Sequence, residues 1–453
     1  MKFSGIAYFL LVSAFLTAWA PLKPLAYLVP LGFIVLIVFY SRDKFYPVAV
    51  LRLSLVLGVL LVVLMLTASF NSHFSYQNAI ISLVTYAWMI LVIMLPFDQF
   101  GTQKMYDTAH SWSIILLALQ SSIGFLQAIA GFLNSGSFDL SNGDRVEGTI
   151  HLALPASSSF SNVIFAFNMV GLLLFLVPKA LSNKSHLTPL LIFGALVLLL
   201  ASVVHLILFL VLAVAISYLL FLPPIRIQGF FVKWTLRFVG VAFPVLALVI
   251  LSTNLSNLST LSTKLLSFES PKSKVLKEVF VALPDDYPVV PWIGIGPGQF
   301  SSRASLIGSG YYFGGLSNPT DLPGLTSQTT YSMNKYILPK WIWVDQLPFS
   351  AGSTMKPYSS WISVISEFGL LVFIAIVLVM IVFILRLRIM SNSDDKKIAG
   401  FVLSTYMIFF FASGFQENYW EIPQMFLAGA LSMLVLYQYR FVAHLDHESS
   451  STH

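Results

Sequence analysis

The chain has 453 residues, of which 57% are hydrophobic and only 10% are charged. A soluble protein of this length could not bury so much apolar surface, so the composition excludes a soluble fold and indicates a membrane protein. The formal net charge is +6, and cysteine is absent, which excludes disulfide scaffolds and thiolate metal sites.

Apolar runs close to the ~20 residues that cross ~30 Å of hydrocarbon predict the membrane spans. They occur at residues 4–20, 25–40, 48–69, 79–96, 112–133, 159–178, 187–202, 205–222, 233–253, 361–386, 398–415 and 423–439. The first run ends like a signal peptide, but Pro21 directly after the small residues favours a retained helix. The seventh and eighth runs are almost continuous, so two spans require a tight hairpin near Ser202–His205.

The distribution of lysine and arginine supports twelve spans, because with both termini cytoplasmic the short outside loops contain only Lys23 and Arg145. One tilted helix at 187–222 would instead place every later loop on the other side. The predicted fold class is an all-α polytopic membrane protein. Its parts are a nine-helix bundle (1–253), a large external loop (254–360), three C-terminal spans (361–440) and a cytoplasmic tail (441–453).

The external loop is not a typical linker, because it contains three tryptophans and aromatic residues are rare in disordered segments. Apolar residues at helical spacing between positions 265 and 283 predict one or two surface helices. The stretch WIGIGPGQF begins at Trp292 and lacks the Lys-Ser or Lys-Thr of a phosphate-binding Walker loop. It also lacks the strand–helix setting of a dinucleotide fingerprint, so a plain glycine-rich turn is the simplest interpretation.

Two longer runs, KSKVLKEVFVALPDDYPVVPWIGIGPGQF and PYSSWISVISEFGLLVF, resemble the region shared by the O-antigen ligase and O-antigen polymerase superfamily. The matching positions are Gly294, Gly296, Gly298, Phe300, Glu367 and Gly369. The run GDRVEGTIHLALPASSS resembles the family's Arg-x-x-Gly element at Arg145 and Gly148. The long external loop late in the chain is also similar to the layout of the family.

The resemblance implies a metal-independent, cofactor-free enzyme of the C-type glycosyltransferase kind in the bacterial inner membrane, with a periplasmic active site. Its donor would be a glycan on undecaprenyl diphosphate, its other partners the lipid bilayer and a chain-length regulator, and no nucleic acid is expected. Two departures favour a polymerase of O-antigen or related surface polysaccharide over a ligase acting on lipid A–core. Tyr358 stands where ligases carry a histidine, and His205 replaces an arginine of the family's Ser-x-Ser-Arg element.

The implied reaction gives the charged residues their candidate roles. Negative charge develops on the diphosphate as the glycosidic bond breaks, and arginine matches phosphate oxygens. Arg145 and Arg303 are the arginines predicted outside, with His205 as a third candidate near the membrane surface; outside lysines are expected to be solvated. Alternatively, Arg145 is a loop charge satisfied by nearby acids, Arg303 a solvated charge and His205 a hairpin residue.

Glu367 is the candidate general base, because a partly desolvated carboxylate has a raised pKa. Alternatively it is a helix-start charge that the helix dipole favours. The weaker carboxylate candidates are Asp285, Asp286, Glu417 and Glu421. No cluster has metal-ligand spacing, so no metal is predicted.

The remaining site candidates would bind substrate. Gly294, Gly296 and Gly298 would adopt positive φ and let the backbone approach it closely. Tyr358 and Trp361 would stack on sugar faces, although aromatic residues are common at any membrane interface. The alternative from another class is a flippase or transporter of lipid-linked sugars. It is disfavoured because transporters usually show related halves, interrupted helices and charges inside the membrane, and this sequence shows neither an internal repeat nor buried acid pairs.

Overall fold

A computed structural model of the chain describes residues 25–40, 47–94, 102–135, 146–150, 161–182, 187–201, 203–221, 269–321, 324–346 and 356–442. Every regular element in these ranges is helical, which confirms the all-α fold class. The predicted spans at 4–20 and 233–253 lie outside the described residues, as do the start of the external loop at 254–268 and the chain after residue 442.

Seven predicted spans between residues 25 and 222 coincide with helices. The helices are α1 (Leu25–Tyr40), α2 (Pro47–Phe70), α3 (Tyr76–Thr85), α4 (Ala87–Met94), α5 (Gln103–Ser135), α6 (Ser161–Ser182), α7 (Thr188–Leu200) and α8 (Val204–Phe221). The predicted span 79–96 consists of two of them, because the chain bends by 48° between α3 and α4. A short 3₁₀ turn, Gly148–Ile150, lies between α5 and α6.

The C-terminal half begins with short helices inside the predicted external loop. These are α9 (Pro271–Val281), α10 (Leu283–Asp286), α11 (Val290–Ile293), α12 (Arg303–Gly308), α13 (Tyr311–Gly314) and α14 (Leu338–Asp345). They are followed by α15 (Ser360–Phe368), α16 (Leu370–Met390), α17 (Asp394–Ser413) and α18 (Pro423–Tyr437). The predicted span 361–386 is therefore divided, because Gly369 has a φ of 88° and ends α15 before α16 begins.

Six helices in the described ranges are long and apolar enough to cross a membrane, namely α5, α6, α8, α16, α17 and α18. The α3–α4 pair makes a seventh if it is counted as one bent span. Three further helices, α1, α2 and α7, contain shorter apolar stretches. The structure therefore supports a membrane protein with about six or seven spanning helices, and twelve spans remain a prediction.

The helices pack around α6, whose most apolar window is 89% buried, whereas that of α16 is only 11% buried. Gly171 of α6 crosses Gly429 of α18 so closely that a Cβ added at Gly171 would lie 3.1 Å from the Gly429 Cα. Small residues permit such close contact between membrane helices. On either side of the predicted hairpin, α7 packs on α5 and α6, whereas α8 packs on α17. Ser202 itself lies outside the described residues.

The segment 269–346 and α15 share an apolar cluster that is separate from the cluster of the long helices. Val275 and Val279 of α9 belong to it, together with Phe300 and Trp341. Serine side chains cap α9 and α12, which satisfies backbone N–H groups at the starts of these short helices. The segment also packs on the membrane helices, because α12 lies against α3. This contact brings polar residues to the ends of the spans.

Cysteine labelling tests the predicted sidedness, because the natural chain has no cysteine to interfere. Asn392 is exposed between α16 and α17, and Ser317 is exposed in the segment 269–346. We expect a membrane-impermeant maleimide added from the periplasm to label Ser317→Cys and to leave Asn392→Cys unlabelled until the cells are opened. Labelling of both residues from one side would contradict a membrane crossing by α16.

Candidate functional site

The glycine-rich stretch after α11 folds over the end of α15. Its glycines have positive φ angles, as predicted: Gly294 (74°), Gly296 (107°) and Gly298 (73°). The backbone N–H groups of Ile295 and Gly296 donate hydrogen bonds of 2.9 Å to the carbonyl oxygens of Ser366 and Glu367. The last carbonyl groups of a helix lack partners within the helix, so the stretch serves as a C-terminal cap for α15.

These glycines let the backbone lie close to other parts of the same chain. A Cβ added at Gly294 would lie 2.3 Å from the carbonyl oxygen of Glu367, and one at Gly298 would lie 2.3 Å from that of Asn78. A Cβ at Gly369 would meet the carbonyl oxygen of Trp292 at 2.1 Å. At Gly294 and Gly298 the chain therefore approaches the backbone of α15 and α3 closely, and the predicted approach of these glycines to substrate stays a prediction.

Gly294→Ala is expected to destabilise the protein much more than Gly315→Ala. Gly315 has nearly the same φ, 71°, but no atom lies within 4 Å of an added Cβ. Gly315→Ala should therefore cost only the backbone strain of about 1–3 kcal/mol, whereas Gly294→Ala adds a collision with backbone atoms. The melting temperatures of the two purified variants measure the difference, and equal values would contradict the packing role.

Glu367 is fully buried and belongs to α15, which is too short to be counted among the helices that could cross a membrane by themselves. Its Oε2 accepts the N–H of Gly298 at 2.6 Å, and its Oε1 accepts those of Phe300, Ser301 and Ser302 at 3.0–3.1 Å. Burial raises the pKa of Glu367, and the hydrogen bonds from Phe300, Ser302 and Gly298 oppose the rise. Both oxygens are thus engaged in holding the 298–302 loop. This geometry supports an anchoring role, and the role as general base stays a prediction.

Arg303 begins α12 and is buried, with an exposed side-chain fraction of 4%. Its Nη2 donates to Oε1 of Glu417 at 3.2 Å, and its guanidinium lies 4.9 Å from the ring centre of Tyr312. Burial disfavours its charge, but Tyr312, Tyr27 and Glu417 hold the pKa of Arg303 above its usual value. The alternative of a solvated loop charge is therefore wrong, and Arg303 is a fixed, buried cation.

Lys272 supplies a second buried cation that the sequence did not single out. It lies in the first turn of α9, is 4% exposed, and donates from Nζ to the carbonyl oxygen of Lys356 at 2.9 Å. Burial lowers the pKa of Lys272, and the nearby Glu417 opposes this shift and favours the charged form. A signal was present in the sequence, because Val275 and Val279 follow at helical spacing and mark the buried face of α9.

Two other predicted residues lie close to these cations. His205 Nε2 is 3.2 Å from the hydroxyl of Tyr419, and the charge of Lys272 acts on its ring. Tyr358 is 5% exposed, and burial together with Glu417 raises its pKa above the usual range. We call the five residues that meet here the cation cluster: Lys272, Arg303, His205, Tyr358 and Glu417.

Trp361 and Arg145 do not join the cation cluster in the described structure. The indole of Trp361 donates to the carbonyl oxygen of Phe411 at 2.9 Å and packs against Phe373, Phe411 and Phe415 with ring centres 4.9–5.5 Å away. These contacts place it among the aromatic residues of α16 and α17, where it contributes to packing. Arg145 lies outside the described residues.

The weaker carboxylate candidates separate into surface and buried groups. Asp286 forms a surface ion pair with Lys335, 2.7 Å apart. Glu421 is fully buried, and its Oε2 accepts the N–H of Ala304 at 3.3 Å. Burial raises the pKa of Glu421 to about 8, and the nearby Glu367 adds to the rise. At neutral pH we therefore expect Glu421 to carry a proton.

The cation cluster offers two cations, a carboxylate, an imidazole and a phenol, which together can bind an anion. In the part of the chain that the structure describes, no three His, Asp or Glu side chains form a group that could hold a metal ion. Comparison with known proteins adds no assignment, because no family model matches the chain and neither a curated protein nor a solved structure matches it.

Proposed function

We propose that the protein transfers a glycan from undecaprenyl diphosphate to a sugar hydroxyl at the periplasmic face, and so polymerises O-antigen or a related surface polysaccharide. The observation that carries this proposal is the meeting of Arg303 and Lys272 in one buried cluster at the ends of the spans. They belong to separate short helices, α12 and α9, and both lie close to Glu417, which precedes α18.

Buried and fixed cations suit a diphosphate leaving group. As the glycosidic bond breaks, its electrons pass to the diphosphate oxygen, and a cation already in place stabilises that charge without rearranging. Arg303 is held by Glu417 and by the ring of Tyr312, and charge interactions are stronger in a buried site than in water. Because this attraction grows toward the transition state, it raises the rate of transfer.

Deletion of the gene in its host tests the proposal through product length. A polymerase predicts lipopolysaccharide capped with a single repeat unit, and the wild-type gene should restore long chains. A ligase predicts loss of all O-antigen from lipid A–core, with polymer accumulating on the lipid carrier. Full-length polysaccharide at the normal amount in the deletion strain would contradict both transfer reactions.

A transporter of lipid-linked sugars is the second candidate, because the structure has two features that the sequence did not reveal. The α3–α4 pair is bent by 48° at a break, and Glu367 and Glu421 are both fully buried. Interrupted helices and buried acids are typical of transporters. The expectation that the chain lacks a buried pair of acids is therefore wrong. Unaltered polysaccharide together with impaired movement of a solute in the deletion strain would favour this candidate.

A further inference from the structure

The inward face of α3 and the residue after it carry polar side chains that lack protein partners. Asn78, Ser82 and Tyr86 recur every four residues, so they line one face of the helix at intervals of about 6 Å. Asn78 and Ser82 are 0% and 1% exposed. Neither amide atom of Asn78, nor the hydroxyl of Ser82 or of Tyr86, has a hydrogen-bond partner among the described residues.

The row of polar side chains ends at the buried carboxyl of Glu421. The hydroxyl of Tyr86 lies beside Glu421, although without the geometry of a hydrogen bond. Oε2 of Glu421 accepts the N–H of Ala304, and Oε1 has no partner among the described residues. At the other end, Asn78 lies two residues from the exposed Tyr76. We call Asn78, Ser82, Tyr86 and Glu421 the polar row.

Such a row is costly unless another molecule satisfies it. Each buried polar group without a partner costs about 1–3 kcal/mol, and buried water with about three hydrogen bonds is the usual remedy in proteins. Elsewhere, Ser217 of α8 has a buried hydroxyl without a partner among the described residues. In the polar row, by contrast, three residues with such atoms lead to a fourth, Glu421, so bound water could satisfy all four in succession.

We propose that bound water occupies the polar row and that Glu421 exchanges its proton through this water with the outer end of α3. The groups facing Glu421 come from each element packed on it. Glu367 of α15 favours the protonated carboxyl, whereas Arg303 and the N–H of Ala304 on α12 favour the carboxylate. Tyr86 at the break after α3 and Tyr27 of α1 also face Glu421.

The inference goes beyond the proposed function and rests on it only for the source of the proton. In the transfer, the O–H bond of the acceptor breaks while its oxygen bonds to the sugar carbon, and the diphosphate leaves with the electrons of the glycosidic bond. Glu421, once ionised, takes up the released proton and passes it to the water of the polar row. In this proposal Glu421, and not Glu367, accepts the proton of the acceptor hydroxyl.

Infrared spectroscopy of the purified full-length chain in lipid vesicles tests the state of Glu421. We expect a C=O band of a protonated carboxyl at neutral pH that disappears with a midpoint near pH 8 and is missing from Glu421→Gln. Absence of a titrating band from the wild-type protein would overturn the proposal, whether or not the variant folds. Persistence of the band in folded Glu421→Gln would overturn it as well.

Hydrogen–deuterium exchange of the same band tests the path. Transfer into D₂O should shift the band about tenfold more slowly in Ser82→Val than in wild type, which corresponds to about 1.4 kcal/mol in the barrier. Ser217→Val is the matched control, because Ser217 is also fully buried with a hydroxyl that has no partner among the described residues. Unchanged exchange in Ser82→Val, or equal slowing in both variants, would overturn the path. These measurements need no substrate. A protein that shows the expected band and exchange but does not polymerise glycan would refute the proposed function and leave the inference about Glu421 standing.

Discussion

Arg303→Ala is expected to lower glycan transfer about a hundredfold, because losing one charged contact to a developing charge costs on the order of 3 kcal/mol. Arg303→Lys should restore only part of the rate, since lysine keeps the charge but loses the planar, two-pronged contact with phosphate oxygens. The measurement is the rate of chain elongation at equal amounts of membrane-inserted protein. A rate for Arg303→Ala within about twofold of wild type would remove this residue from the site.

The loss of Arg303 also leaves Glu417 buried without its ion-pair partner, which can cost about 3–5 kcal/mol of stability. The double variant Arg303→Ala with Glu417→Gln separates the two effects, and it should recover stability without recovering transfer. Arg440→Ala is the matched control, because Arg440 forms an ion pair of 3.1 Å with the exposed Asp395, away from the cation cluster. Because this pair lies away from the cation cluster, transfer per folded molecule should stay close to wild type.

Glu367→Gln is expected to lower the melting temperature strongly while leaving transfer per folded molecule almost unchanged. In the variant, an amide NH₂ takes the place of one carboxylate oxygen. This NH₂ would face either the N–H of Gly298 or the N–H groups of Phe300, Ser301 and Ser302, which donate hydrogen bonds to the carboxylate in the wild type. Hydrogen bonds to a charged group contribute about 1.5–3 kcal/mol each. Thermal unfolding in detergent and elongation rate, measured on the same preparation, give the two quantities.

The two roles considered for Glu367 predict opposite results. An anchor predicts low stability and an active folded fraction, whereas a general base predicts normal stability and a rate lowered by two orders of magnitude or more. Glu278→Gln is the control for the substitution itself, because Glu278 forms a partly exposed ion pair with Lys340 at 2.8 Å. Its melting temperature should change only slightly.

The sequence predicts the apolar helices well, because hydrocarbon imposes a length and a composition on any segment that crosses it. Ten of the twelve apolar runs fall on described residues, and each coincides with one helix or with two helices in succession. Hydropathy does not reveal where such a run breaks. Tyr86 divides one run and Gly369 another, and only tertiary contacts show that helices end there.

The glycine stretch illustrates how far the sequence can predict a site. Positive φ at Gly294, Gly296 and Gly298 follows from the residue type and is observed. What fills the space around them does not follow, because it depends on α3 and α15, which are distant in the sequence. For the same reason Glu367, which looks like an exposed acid at the start of a span, accepts hydrogen bonds from the 298–302 loop.

The buried charges could not be ranked from the sequence, because burial depends on how segments far apart in the chain pack. Arg303 was singled out for its scarcity, and the structure buries it beside Glu417. Lys272 shares a helix face with Val275 and Val279, but only the packing of α9 shows how deeply it is buried. Glu421 resembles a turn residue until Ala304 and Tyr86 are placed beside it. A charge pattern therefore identifies candidates, and packing decides among them.

Transfer by the purified protein tests the central claim most directly. The wild-type chain, reconstituted in lipid vesicles, is incubated with a synthetic repeat unit on undecaprenyl diphosphate, in the presence of a metal chelator and without ATP. We predict lipid-linked products of two or more repeat units that form with wild type and are reduced about a hundredfold with Arg303→Ala. The absence of longer products from a folded wild-type sample, or equal amounts from both proteins, would contradict glycan transfer at the cation cluster.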